Sequence, residues 1–238
     1  MLSKFQIYNQ SLEQLPNHSK LLITTINSHS YNVSRTDDFY QEALMKSDIL
    51  IPDGISVVHA LKWLKKQKLK KIAGADLFNY ELQRLEKSKG SCFFLGSSES
   101  TLQKIKVRIA SEYPNITVQS YSPPFKKEFS EEDNKKMFDK INAFKPDVLM
   151  VGMTAPKQEK WAYRHYQFLD VGHICCIGAV FDFYSGTIKR APKWMINMGL
   201  EWLYRLFKEP KRMWKRYLIG NIKFIWFIIE EKLNQNKS

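Results

Sequence analysis

Short apolar runs recur along the chain, and each is followed by a longer stretch in which apolar residues return every three or four positions. The first run, residues 20–26 (KLLITTI), is rich in β-branched residues and reads as a buried strand ending at Asn27. Residues 37–46 predict a helix with Thr36 as its cap, and residues 48–51 a second strand closed by the turn Pro52-Asp53-Gly54. A helix over residues 55–66 leads into the basic link KKQKLKK, and Asp76 caps a further helix to about Leu85. Residues 92–95 form the next strand, with Gly96-Ser97-Ser98 between it and a helix over residues 99–112. Another strand covers residues 116–120. Ser130 and Asp133 open a helix to about Phe144 as a capping box does. Residues 147–151 (DVLMV) are a buried strand, Gly152 follows, and a helix starts near Pro156 as its first residue. Residues 174–177 are the last clear strand. This alternation predicts an α/β fold.

The expected architecture is a Rossmann-like, mostly parallel sheet with helices on both faces, followed by a helical C-terminal appendage. Gly186 and Pro192 set the boundary, giving residues 1–190 to the α/β domain and residues 191–238 to the appendage. Pro210 should break or kink the appendage helix. Arg205, Lys208 and Arg212, spaced by three and four, then lie along one side.

Composition changes this picture in one respect. The 238 residues carry a net charge of +13, and residues 189–238 hold 12 Lys and Arg against 4 Asp and Glu, with four of the six Trp. Such a tail reads as a solvated helical face, or as a surface for an anionic partner, either nucleic acid or an acidic membrane. Cys92, Cys175 and Cys176 sit in apolar runs and read as core thiols of a reducing compartment. No His falls at metal-ligand spacing, and the N-terminal residues lack the apolar core of a signal peptide. The most apolar stretch, residues 222–229, is too short for a bilayer, which needs about 20 residues. These features point to a cytoplasmic protein that touches a membrane.

Ligands of open parallel sheets bind outside the carboxyl ends of the strands. The residues there are Thr25 and Asn27, Asp53 and Gly54, Gly96 to Ser98, Gly152 to Gln158, and Gly178 to Asp182. Glycines ahead of a helix N-terminus suit phosphate oxygens, although neither LGSS nor VGMTAPKQE is a recognised phosphate fingerprint. Asp53 is either a turn residue or a general base. Asp182, in VFDFY, needs a backbone donor or a ligand hydroxyl, because an unpaired carboxylate in apolar surroundings is costly.

IPDGISVV, AGADL, VGMTAPKQEKW, residues 178–182, TIKRAPKWM and GLEWLYRLFKEPKR together resemble the WecG/TagA/CpsF glycosyltransferases over about residues 20–217. The resemblance implies bacterial cell-surface polysaccharide, teichoic acid linkage unit or enterobacterial common antigen synthesis. It also implies inverting transfer of an N-acetylmannosamine-type or related sugar from a UDP-sugar to a polyprenyl-diphosphate-linked sugar. No cofactor or metal is expected. The site would be peripheral at the inner face of the cell membrane, and nucleic acid would not be a partner. By the same resemblance Asp53 is the catalytic base, and Thr25 and Asn27 border the sugar pocket; Gly54 is a substrate-binding candidate from its place after the second strand. The resemblance also puts Gln158 and Asp182 on the nucleotide sugar and Arg205, Arg212 and Lys215 near the diphosphates, while Gly96 is a substrate-binding candidate from its place at a strand end. Ala179 and Thr154 stand where the family has glycine, so the donor sugar cannot be copied from one member. The appendage then acts as a lid, with residues 222–229 either at the lipid interface or simply buried, as in a homo-oligomer contact. The competing reading is a non-catalytic basic protein that binds nucleic acid or anionic lipid.

Overall fold

The computed structural model describes residues 2–17 and 19–235, except the side chains of Lys193, Asn197 and Arg212. Among the described residues, six strands form one sheet: β1 (Leu21–Ile26), β2 (Ile49–Pro52), β3 (Ser91–Gly96), β4 (Thr117–Tyr121), β5 (Val148–Gly152) and β6 (His173–Cys176). Their order is β2-β1-β6-β5-β3-β4, and every pairing is parallel. Alternate strand residues face opposite layers, so both faces need cover. Ile23, Ile51, Phe94, Met150 and Cys175 pack beneath α4 (Gly74–Ser88), α5 (Glu99–Glu112) and α8 (Val180–Tyr184). Leu22, Phe93, Leu149, Ile174 and Cys176 pack against α6 (Glu131–Phe144) and α7 (Lys157–His165). Cys92, Cys175 and Cys176 are buried and unbridged.

Next to that second layer, Ile26 and Leu50 join a core with α1 (Ser28–Ser34), α2 (Asp38–Met45) and α3 (Ile55–Lys65). The tail enters the same core. It runs through α9 (Lys193–Asn197), α10 (Glu201–Lys208), α11 (Pro210–Trp214), a π-helical turn (Lys215–Ile219) and α12 (Gly220–Gln235). Pro210 opens α11 after a break at Glu209, consistent with a residue that has no N–H to continue α10. Phe224 and Ile228 of α12 are buried with Leu2, Phe5 and Tyr31, and the Tyr31 and Phe224 rings meet edge-on at 5.5 Å. Glu231 accepts the Leu2 and Ser3 N–H groups at 2.7 and 2.8 Å and the Tyr31 hydroxyl at 3.3 Å. Residues 222–229 are therefore divided: Phe224 and Ile228 are core, while Ile222, Ile225, Trp226 and Ile229 are exposed.

Local chemistry corrects several expected boundaries. Asp37, not Thr36, caps α2 by accepting the Tyr40 N–H at 2.9 Å; the Thr36 hydroxyl instead donates to the Val33 carbonyl. Asp76 lies inside α4, where it takes the Ala73 N–H at 2.8 Å. Pro156 precedes α7 as its cap rather than opening it. Neither α1 nor α8 shows as apolar periodicity: α1 is a polar segment, and α8 is a single five-residue element in an apolar run.

Candidate active site

The strand order places six strand ends in a row, with Asp53 after edge strand β2 and residues 122–129 after edge strand β4. Five neighbour spacings of about 4.8 Å make that row about 24 Å long. A cavity of about 1340 Å³ runs along it and draws wall residues from all six strand ends. Thr25, Asn27, Asp53, Gly54, Gly96, Gln158, Asp182 and Arg205 all contribute to its wall.

At the Asp53 end, the loops after β1 and β2 touch. Asn27 caps α1, its Oδ1 accepting the His29 and Ser30 N–H groups at 3.0 and 3.1 Å. A Cβ on Gly54 would stand 3.3 Å from Cβ of Asn27. The Asp53 N–H is tied to the Ile26 carbonyl at 2.9 Å, which fixes the carboxylate's base on the adjoining strand.

The middle of the wall is backbone against backbone. A Cβ on Gly96, whose φ is +114°, would lie 2.6 Å from the Gly152 carbonyl oxygen. One on Gly152 would lie 2.4 Å from the Phe181 ring. Only glycine fits either approach without movement. Gln158 joins the next two loops: its Oε1 accepts the N–H groups of Met153 at 3.2 Å and Gly178 at 3.1 Å, and its Nε2 donates to Glu159 Oε1 at 2.8 Å. The Gln158 carboxamide is thus largely committed to protein partners. Asp182 follows Phe181 in α8 and is half-buried on the wall.

The tail closes one side with cations and aromatics. Arg190, Arg205 and Arg216 are on the wall with Trp202 and Tyr217, whose rings are 6.0 Å apart. Arg205 lies 5.4 Å from the Phe183 ring centroid, and its Nε is buried without a hydrogen bond among the described residues. Lys215 is not brought to the cavity; it is exposed, with Nζ 5.5 Å from the Trp214 ring centroid. The π turn that begins at Lys215 changes the helical phase, and Arg216 takes the inward position. Arg212 is in α11, but its side chain lies outside the described residues. Sequence reasoning did not single out Lys71, Arg190, Arg216 or Glu159. The basic run at residues 65–71 and the Arg next to Lys215 were the available signals.

Charges converge on Asp53. Burial raises its pKa to about 6, Glu201 adds to the rise, and Lys71, Arg216 and Arg190 oppose it. Glu159 is pushed up to about 7 by burial, against the Gln158 hydrogen bond and Arg216. His29 is held down to about 4 by burial and then by Arg216, so it is neutral at physiological pH. A half-buried carboxylate that ionises near neutrality, set among cations in a cleft, can accept a proton from a bound hydroxyl. Among the described residues no group of three or more His, Cys, Asp or Glu is arranged as a metal site.

The sequence model described as Glycosyl transferase WecG/TagA/CpsF family matches residues 2–238. The chain is similar to the N-acetylglucosaminyldiphosphoundecaprenol N-acetyl-beta-D-mannosaminyltransferase of Bacillus subtilis (strain 168), at 31% identity over 90% of this chain and 81% of that protein. A protein of the same name from Bacillus spizizenii is 34% identical over 75% of this chain and 67% of its own length. Another, from Staphylococcus aureus (strain MW2), is 28% identical over 87% of this chain and 77% of its own.

Proposed function

The chain belongs to the WecG/TagA/CpsF glycosyl transferase family, and from that premise we propose that it moves an N-acetylmannosamine-type sugar from a UDP-sugar to a polyprenyl-diphosphate-linked N-acetylglucosamine. Membership makes the chain a glycosyltransferase and sets aside the purely non-catalytic reading of its basic tail. The relatives' names supply the acceptor and the transferred sugar. The observation that carries the reading is Asp53, a carboxylate raised to about 6 at one end of a 1340 Å³ cavity walled by Lys71, Arg190, Arg205 and Arg216.

In this reading Asp53 takes the proton of the acceptor hydroxyl as that oxygen attacks the anomeric carbon. The bond to the diphosphate breaks on the opposite face, and the sugar configuration inverts. Charge developing on the departing UDP is met by the guanidinium groups and by N–H groups at the strand ends, with no metal called for. With Asp53 at one end of the row, the donor would lie with its sugar beside Asp53 and Asn27, its diphosphate across the glycine loops and its uridine toward the β3 and β4 ends. Asp182 then faces donor hydroxyls.

The lipid part of the acceptor has an apolar course to follow. Ile225 is both a cavity-wall residue and 57% exposed. With Ile222, Trp226, Ile229 and Leu233, all exposed, it forms one stripe at spacings of three and four along α12. No helix among the described residues is long and apolar enough to cross a membrane. A stripe of this kind beside a basic tail suits contact with the surface of an anionic bilayer. The test is a screen of UDP-sugars with a short-chain prenyl-diphosphate-N-acetylglucosamine acceptor, without added metal. Transfer from UDP-N-acetylmannosamine is expected, and failure with every UDP-sugar would remove the assignment.

A further inference from the structure

Glu159 is a buried carboxyl that the proposed chemistry does not use. It stands in the first turn of α7 at 1% exposure, at the back of the cavity wall. Its Oε1 accepts the Gln158 amide at 2.8 Å, and its Oε2 makes no hydrogen bond among the described residues. A carboxyl at such a depth is costly, and an apolar side chain would pack there with less penalty. Its contribution lies in the neighbour that it touches.

Gln158 is 3% exposed, and the orientation of its amide follows from its partners. Backbone N–H groups only donate, so the atom facing Met153 and Gly178 must be the oxygen. The amide nitrogen therefore points the other way, toward Glu159 Oε1. Through that geometry one side chain ties the loop after β5 to the loop after β6. The first loop carries Gly152 and Met153. The second carries Gly178 and leads into Phe181, which presses on Gly152, and Asp182. The main-chain carbonyl of Gln158 also faces the Cys176 thiol at 3.8 Å, so α7 is fixed to β6 from both ends of the same residue.

We propose that Glu159 is a positioning residue for the donor side of the cavity. It anchors the Gln158 carboxamide, which in turn sets the two loops that present Met153, Gly178 and Asp182. This rests on the reading above that the donor lies across those loops. It differs from a role for Gln158 as a simple donor ligand, because the amide oxygen is already occupied by the protein.

The experiment uses the full chain and separates donor from acceptor. UDP binding is measured by calorimetry, and KM for each substrate together with kcat by transfer assay. Glu159→Ala should weaken UDP binding and raise the donor KM by about tenfold, with the acceptor KM and kcat changed by less than about twofold. Glu159→Gln, which keeps an acceptor oxygen for the Gln158 amide, should restore most of that loss. Gln158→Met, similar in size but without the amide, should reproduce the donor-selective defect and covers the case in which Glu159→Ala fails to fold. The proposal is overturned if Glu159→Gln is as impaired as Glu159→Ala, since the charge itself would then be what matters. Unchanged UDP affinity in folded Glu159→Ala, or in Gln158→Met, also overturns it. If the unsubstituted chain binds no UDP, the donor reading itself falls, and the positioning role falls with it.

Discussion

Gly152 lies so close beneath Phe181 that a Cβ added to it would stand 2.4 Å from Cδ2 of the ring. The contact joins the ends of β5 and β6 and sets where α8 begins. Gly152→Ala should therefore cost about 1–3 kcal/mol, as overpacking of a filled interior does. Urea unfolding followed by circular dichroism measures this, and an unchanged midpoint would show that Phe181 can move aside freely. Because Asp182 follows Phe181, the variant should also bind UDP more weakly.

Asp53 should define the acid limb of the pH profile. A base works only when deprotonated, and this carboxyl ionises at about 6. Accordingly kcat/KM should be flat above that value and fall about tenfold per pH unit well below it. Asp53→Asn should lose at least about a hundredfold in kcat while UDP still binds. An acid limb of the same shape in Asp53→Asn, at substantial activity, would assign the base elsewhere.

Arg216 and Lys215 are adjacent in sequence but differ in placement, one on the cavity wall and the other exposed beside Trp214. Arg216→Ala should cut transfer by about tenfold or more, and Lys215→Ala by no more than about twofold, in keeping with the weak effect of exposed charges. Equal losses in the two variants would mean that the tail rearranges when substrate binds. Arg216→Lys should recover only part of the activity, because lysine lacks the paired donor geometry of a guanidinium.

The sheet was legible because each strand is a compact apolar run and a parallel sheet buries both faces. Residues 147–151, expected as a strand, differ from the observed Val148–Gly152 by one position at each end. The row of strand ends was readable for the same reason, and this is why Thr25, Asn27, Asp53, Gly96, Gln158 and Asp182 could be named together. What escaped depended on three-dimensional phase. Nothing in Trp-Lys-Arg-Tyr says that a π turn will send Arg216 inward and leave Lys215 outside. Nothing in the adjacency of Gln158 and Glu159 says that their side chains will bond to each other. The apolar run at residues 222–229 gave the same signal whether it was core or surface, and the structure divides it between the two.

Glu159 makes a prediction about stability that runs against its proposed usefulness. Its pKa rises from 4.5 to about 7 on folding, with burial as the main cause. The folded state therefore binds the proton more tightly than the unfolded one, so this group favours folding most below 4.5 and loses that advantage as pH rises to about 7. Glu159→Gln carries no charge at any pH, so its melting temperature relative to the unsubstituted chain should increase from pH 5 to pH 8. His29, titrating near 4, stays neutral across most of that range. A difference that is constant with pH would mean that Glu159 is not buried in its charged form.

The exposed stripe of α12 can be tested without touching the core. Ile222 is 70% and Trp226 67% exposed, so the double change Ile222→Glu and Trp226→Glu should leave the unfolding midpoint nearly unaltered. Co-sedimentation with vesicles rich in phosphatidylglycerol should drop sharply, since apolar contact is removed and negative charge is added. Unchanged sedimentation would exclude this face from the lipid contact.

The bond between Glu231 and the Leu2 N–H joins positions 229 residues apart. During synthesis at about 5–20 residues per second, Leu2 and Phe5 emerge long before Phe224, Ile228 and Glu231, which complete their core. For that interval the nascent chain carries an unfinished apolar surface around Tyr31, exposed to chaperones and to other chains. Tags fused beside Leu2 or cut sites placed near Glu231 will consequently act on yield as well as on activity, because each disturbs the step by which the chain closes on itself.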